Sequence, residues 1–238
     1  MTTPIHVRAR PGDVAPVVLL PGDPGRATRV AERLDGASCY NEYRGLLGYT
    51  GACRGTDVSV QTTGMGAPSA AIVVEELAML GARVLIRIGT CGGAGPDVRP
   101  PDLVIATASV PLDGTTRHYL GEGIEPPAAT PRVVEALTAA AAARDARHHV
   151  GLIATEDALY AVTPAWAETW AARGVLAQEM EASAIFAVAS LRGLEAGCVL
   201  VASNAAGQHE RLPDAELQPA VDAMIDVALD AAVALSAG

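Results

Sequence analysis

Three observations predict an α/β fold for this chain. Strand-like and helix-like segments alternate from one end to the other. The strand-like segments are short apolar runs of the kind that lie buried inside a sheet. Two of them pass through glycine-containing turns straight into helices, at Gly22-Asp23-Pro24-Gly25-Arg26 and at Gly64-Met65-Gly66-Ala67-Pro68-Ser69.

In chain order, Val17-Val18-Leu19-Leu20 reads as the first strand, and the helix after Arg26 runs through Leu34. Val58 to Thr62 is the next strand, and the helix that follows Ser69 ends near Leu80-Gly81. Val84 to Ile88 and Leu103 to Ala108 are further strands. Arg132 to Arg147 is an alanine-rich helix, and Val150 to Ala154 a strand. Pro164, suited to a first helical turn, opens a helix toward Arg173. Glu179 to Leu191 is helical and stops at Gly193, and Cys198 to Ala202 is the last strand. In the tail, Leu217, Val221, Met224, Ile225, Ala228, Leu229 and Ala232 fall on one helix face. The stretches from Gly92 to Asp102 and from Leu112 to Pro131 read as loops. With no repeat and no Pro-, Gly- or Ser-rich linker, residues 1–238 read as one domain.

Half of the 238 residues are hydrophobic but only 3% are aromatic, so the core must be built from Ala, Val, Leu and Ile. A net charge of −10 speaks against a nucleic-acid backbone or an anionic membrane as partner. An anionic ligand would therefore need a local cluster of arginines. Cys39, Cys53, Cys91 and Cys198 form no CxxC pair, which suggests reduced thiols. The opening Met1-Thr2-Thr3-Pro4-Ile5-His6 shows no basic-then-apolar leader, and no apolar run approaches the ~20 residues of a membrane span. A cytoplasmic location is the expectation.

The most informative position is Arg87, set inside the apolar run Val84-Leu85-Ile86-Arg87-Ile88 and followed by Gly89-Thr90-Cys91-Gly92-Gly93. A guanidinium keeps its proton, so burying it is costly unless an anion meets it. That anion is either a carboxylate of the protein or a bound ligand. The Gly22–Arg26 turn offers backbone N–H groups, a helix N-terminus and an arginine; it is either a phosphate cradle or a plain strand–helix turn with a solvated arginine, and the second is the commoner case. Gly64-Met65-Gly66 lies between strand and helix, but Ser69 replaces the third glycine of a dinucleotide fingerprint and no acidic residue ends the next strand. No GxxxxGK[ST] loop is present, and His6, His118, His148, His149 and His209 show no metal-binding spacing. In Gln178-Glu179-Met180-Glu181, Glu181 falls where the helix face should turn inward, so its carboxylate wants a hydroxyl or a cation. Ser203-Asn204 ends a buried strand, either as a ligand position or as a self-capping turn.

Taken together, these segments resemble the nucleoside phosphorylase family, which includes the bacterial hexameric purine enzymes and the uridine phosphorylases. The resemblance covers nearly the whole chain. It rests on Ile5-His6, the Pro21–Pro24 loop with Arg26, Tyr43-Arg44-Gly45, Gly64-Met65-Gly66 with Pro68-Ser69, Arg87 to Gly92, Asp157 to Tyr160, Glu179 to Ala182 and Ser203-Asn204. Gly12-Asp13 and Gln178 to Glu181 look closest to the purine branch.

The resemblance implies a three-layer α/β/α sandwich around a twisted mixed sheet, and hexamers assembled as trimers of dimers. It implies that Gly22, Arg26, Arg87, Gly89 and Thr90 bind phosphate, with Arg44 supplied by a neighbouring subunit. Met65, Met180 and Glu181 would hold the ribose, and His6 of the neighbour its 5′-hydroxyl. Cys91, Gly92, Leu159, Tyr160, Gln178, Glu179, Ser203 and Asn204 would line the base pocket. The catalytic set would be Asn204, Arg87 and Glu181. Inorganic phosphate is the implied co-substrate, with neither cofactor nor metal.

Two departures bear on the substrate. Many hexameric purine enzymes have Asp at the position of Asn204 and Arg at that of Leu217, a pair that protonates the leaving purine. Asn204 has no proton to give, although an amide can donate to a 6-oxo group and accept from a protonated N7. Inosine and guanosine are thus the expected substrates. Uridine is the runner-up, supported by Ala106 to Gly114, but the Gln/Arg insertion of uridine phosphorylases is missing where Ala161-Val162-Thr163-Pro164 enters a helix. Two further readings compete: a nucleosidase that uses water in place of phosphate, and a non-catalytic nucleoside sensor.

Overall fold

Apolar runs that lack alternation become the centre of one sheet, and the runs with polar faces become the helices that cover it. In the computed structural model, which describes residues 3–208 and 210–236, the order is β1 (Val17–Pro21), α1 (Pro24–Ala31), β2 (Asp35–Asn41), β3 (Gly48–Cys53), β4 (Thr56–Gln61), α2 (Ala67–Met79), β5 (Val84–Gly93) and β6 (Leu103–Pro111). It continues with α3 (Gly114–Leu120), α4 (Pro131–Ala143), β7 (His148–Thr155), α5 (Pro164–Ala171), β8 (Ala177–Glu179), α6 (Ala182–Leu191), β9 (Glu195–Asn204) and α7 (Asp214–Ser236).

The nine strands form one mixed sheet in the order β2-β3-β4-β1-β5-β8-β7-β6-β9, and β9 also pairs with β5. The second pairing closes β5, β8, β7, β6 and β9 into a ring. β4, β1, β5 and β9 run parallel, so their carboxyl ends meet at one rim, the usual ligand side of an open parallel sheet.

Two cores sandwich the sheet. Side chains of α2 and α6 pack with Val18, Leu20, Leu85, Cys198 and Leu200 on one face. Those of α1, α4 and α7 pack with Leu19, Ile86, Ile88, Val199 and Val201 on the other. This is the α/β/α arrangement that the resemblance implies. A third, small cluster of Ala94, Ala154 and Val175 is covered by Trp166 and Trp170 of α5, whose rings lie 6.1 Å apart at 49°.

Close packing leaves some positions without room. At Gly197 in β9 a Cβ would sit 2.3 Å from Val133 Cγ1 of α4. Gly197→Ala should therefore cost about 1–3 kcal/mol by overpacking and lower the thermal midpoint by roughly 3–10 °C. A melting curve checks it.

Many of the arginines are spent on the outer surface. Asp222, Asp226 and Asp230, one turn apart on α7, pair with Arg29, Arg33, Arg144 and Arg54. Such partly exposed pairs contribute about 0–1 kcal/mol each. They leave few cations for any internal anion.

The structure departs from the sequence reading at several elements: α1 ends at Ala31 rather than Leu34, and β6 and β9 run longer than expected, to Pro111 and over Glu195–Asn204. β2 and β3 form an edge hairpin that the reading missed. β5 runs on to Gly93, into the expected Gly92–Asp102 loop. The expected Leu112–Pro131 loop contains α3, capped by the Asp113 carboxylate on the Thr116 N–H. The helix expected from Glu179 begins at Ala182, because Gln178 and Glu179 are held in the short strand β8 between β5 and β7. The helix drawn from Arg132 to Arg147 ends at Ala143. The imidazole of His149 meets the Asp102 carboxylate and His148 the Ala146 carbonyl, while His209 lies outside the described residues.

Candidate active site

Arg87 lies on β5 with 4% of its side chain exposed, and it is met by two carboxylates of the protein. Its Nε donates to Glu179 Oε2 at 2.7 Å, and its Nη2 pairs with Glu181. Burial alone would lower the Arg87 pKa, but Glu181 and Glu179 outweigh it and hold the guanidinium above its ordinary value. Gly89 makes the geometry feasible, since a Cβ there would stand 3.0 Å from Arg87 Nη2. The choice posed by the sequence, own carboxylate or ligand, resolves as two protein carboxylates and one remaining nitrogen. Nη1 is buried without a partner among the described residues.

Arg26 reaches the same place from α1. The Asp23 side chain caps that helix by accepting from the Gly25 and Arg26 N–H groups. The Arg26 guanidinium donates to the Ile88 carbonyl at 3.3 Å, while its Nε is buried without a partner among the described residues. Burial, and next the nearby Arg87 charge, lower its pKa to about 10. Two guanidiniums that repel one another thus each keep a buried N–H group with no acceptor among the described residues. Gly22 closes the floor: a Cβ there would lie 3.1 Å from the Gly64 carbonyl oxygen, so the two glycine turns are in contact.

Of the residues expected to hold the ribose, Met65 and Met180 stand next to Glu181. Its Oε1 accepts from the Gly66 N–H at 2.6 Å, which ties the Met65 loop to the start of α6. Burial raises the Glu181 pKa, Arg87 opposes this, and Glu179 adds to it. Met65 is 83% exposed beside this carboxylate, and Met180 is half-buried.

On the base side, β8 pairs Gln178 with Gly92. A Cβ on Gly92 would lie 3.1 Å from Gln178 Nε2 and 3.5 Å from Asn204 Oδ1. Two amides therefore converge over a glycine. Asn204 is held at both ends, its Oδ1 accepting from Ser203 Oγ at 3.1 Å and its Nδ2 donating to the Gln208 carbonyl. Ser203 Oγ also reaches the Cys91 carbonyl at 3.0 Å. Thr90 is half-buried on β5, and Cys91 is buried, its thiol raised by desolvation.

Some expected members stand elsewhere. Glu179 does not face a base: its side chain is fully buried. Besides Arg87 it accepts from Thr155 Oγ1 at 2.5 Å and from the Glu181 and Ala182 N–H groups. It is a support for Arg87 and for the turn that carries Glu181. Tyr160 is 99% and Leu159 52% exposed on the short turn Leu159–Ala161, so neither is packed over the site. Arg44, at φ 58°, is exposed beside Tyr43 and touches neither Arg26 nor Arg87 among the described contacts. His6 is bound to Glu76, away from Glu181.

Sequence reasoning missed Thr155 and Glu76. Thr155 carries no signal of its own. Glu76 does, because it follows Val73 by three residues on the buried face of α2, where an unpaired carboxylate is costly. Among the described residues, no three His, Cys, Asp or Glu are placed to hold a metal ion.

With this geometry in hand, comparison with known proteins is informative. Residues 16–235 match the model of the phosphorylase superfamily. The chain is 41% identical over 232 residues to a DeoD-type purine nucleoside phosphorylase of Geobacillus kaustophilus, covering 96% of this chain and 98% of the relative. A Clostridium perfringens protein of the same designation is 39% identical over 97% and 99% of the two chains. One from Roseobacter denitrificans is 38% identical, again over 97% and 99%.

Proposed function

Because this chain belongs to the phosphorylase superfamily, we propose that it cleaves purine nucleosides by phosphorolysis, giving the free base and ribose 1-phosphate. The observation that carries the reading is the pair Arg26 and Arg87, each with a buried N–H group lacking an acceptor among the described residues. Phosphate satisfies both. Its oxygen attacks C1′ while the bond to the purine nitrogen breaks, and the electron pair leaves with the base, which takes up a proton. The sugar becomes cationic as the bond lengthens, and the bound phosphate anion lies against it. Glu181, keyed to Arg87 and Gly66, accepts from the ribose hydroxyls next to Met65 and Met180.

Asn204 and Gln178 supply the base side. Asn204 donates to a 6-oxo group and accepts from a protonated N7, which favours inosine and guanosine over adenosine. The Ala106–Gly114 stretch, which resembles uridine phosphorylases, builds β6 and the cap of α3, and the relatives are named for purines.

His6 and Arg44 act in a neighbour's site, in a hexamer built as a trimer of dimers. What supports their acting together is a stacking contact: Arg8, two residues after His6, lies 3.3 Å over the ring of Tyr43, which precedes Arg44. The reaction runs in the cytoplasm, needs no cofactor, and takes phosphate as co-substrate. No described helix is long and apolar enough to cross a membrane.

The test is hypoxanthine release from inosine with and without phosphate, with adenosine and uridine alongside. Release that requires phosphate, with inosine well ahead, is the expected result. Release without phosphate would make the protein a hydrolase, and uridine leading would overturn the base-side reading.

A further inference from the structure

The Glu76 carboxylate, 5% exposed on α2, takes four N–H donors from one short segment. The backbone N–H groups of Ile5, His6 and Val7 donate at 3.0, 2.8 and 2.6 Å, and His6 Nδ1 lies 2.9 Å from Oε1. Burial would raise the carboxyl pKa, but the Val7 N–H, the His6 ring and the other two N–H groups bring it below the ordinary value. An ionised carboxylate only accepts, so the proton in this contact sits on His6 Nδ1. Neutral His6 is thereby fixed in one tautomer, with a lone pair on Nε2. No described residue bonds to Nε2, and the side chain is 22% exposed.

The segment is pinned at a second point. The Arg8 N–H donates to Asn41 Oδ1 at 2.9 Å, and Asn41 Nδ2 donates to the Leu46 carbonyl at 2.5 Å. Asn41 thus ties the His6 segment to the chain just after the Tyr43–Gly45 turn that carries Arg44.

We infer that Glu76 is a positioning residue: it holds His6 as a hydrogen-bond acceptor, Nε2 outward, for the 5′-hydroxyl of a nucleoside. This rests on the reading of His6 given above and adds the residue that orients it and the direction of the bond. The 5′-hydroxyl donates and Nε2 accepts; the opposite tautomer would turn the bare Nδ1 lone pair onto the Glu76 carboxylate, 2.9 Å away.

The test compares kcat/KM for inosine and for 5′-deoxyinosine, which lacks that hydroxyl, in the unaltered protein, His6→Ala and Glu76→Gln. A neutral hydrogen bond of this kind should favour inosine by about threefold to tenfold. Loss of that preference in both variants is the expected result, with 5′-deoxyinosine turnover falling less than inosine turnover in Glu76→Gln. If His6→Ala loses the preference and Glu76→Gln keeps it, or loses both substrates in equal proportion, the inference about Glu76 is wrong. If His6→Ala keeps the preference, the underlying reading of His6 fails, and the inference with it. Should Glu76→Gln not fold, the 15N spectrum of histidine-labelled unaltered protein decides. His6, assigned by its absence in His6→Ala, must show a protonated Nδ1 and a bare Nε2, and the reverse tautomer overturns the proposal.

Discussion

Arg87→Ala is expected to lower kcat/KM for inosine phosphorolysis by about 10³-fold, with phosphate no longer saturating, because it removes the most deeply buried cation of the proposed phosphate site. The same change strands Glu179 and Glu181, whose side chains are 0% and 5% exposed, without their shared cation. Breaking a buried pair from one side costs about 3–5 kcal/mol. The stability loss has a pH signature that separates it from the catalytic loss. Glu181 already has its pKa raised by burial, and without Arg87 it rises further. A carboxyl whose folded pKa exceeds its unfolded value binds more protons when folded, so stability falls as pH rises through that window. The melting penalty of Arg87→Ala should therefore be smaller near pH 5 than near pH 8. Arg87→Lys, which keeps the charge but not the fork, should recover more stability than activity. Equal activity in Arg87→Ala and the unaltered protein would sink the assignment.

Asn204→Ala should lower kcat for inosine by about 10²–10³-fold, the usual cost of removing one donor aimed at developing charge. Its KM should change less, since the charge on the base appears only as the bond breaks. Asn204→Asp should move adenosine turnover upward relative to inosine, because a carboxyl can carry the proton that an amide lacks. Asn204 also ties β9 to Gln208, so melting curves of both variants must accompany the kinetics. Full inosine turnover in Asn204→Ala would mean that the purine is stabilised by other groups, Gln178 first among them.

The legible parts of this chain are those in which one residue breaks an otherwise uniform pattern. Arg87 in an apolar strand, Arg26 after a strand–turn, and Glu181 on an inward face each broke the pattern, and in the structure Arg87 pairs with Glu181 and lies within electrostatic reach of Arg26. What escaped has physical reasons. Residues 35–39 of β2 are exposed, so the edge hairpin carries no apolar period to detect. β8 is three residues long and exists only because β5 and β7 flank it, which is why Glu179 read as a helix start. Its role as a brace depends on Thr155, 24 residues away in sequence, and no local pattern encodes a contact of that kind. The closure of the sheet by β5 and β9 is likewise a long-range pairing.

The chain's two tryptophans both stand on α5, tilted against one another, shortly after the exposed turn Leu159–Ala161. Selective excitation of indole therefore lights a single corner of the molecule. Its emission is a built-in optical probe of the corner formed by α5 and the Leu159–Ala161 turn, and it needs no added label.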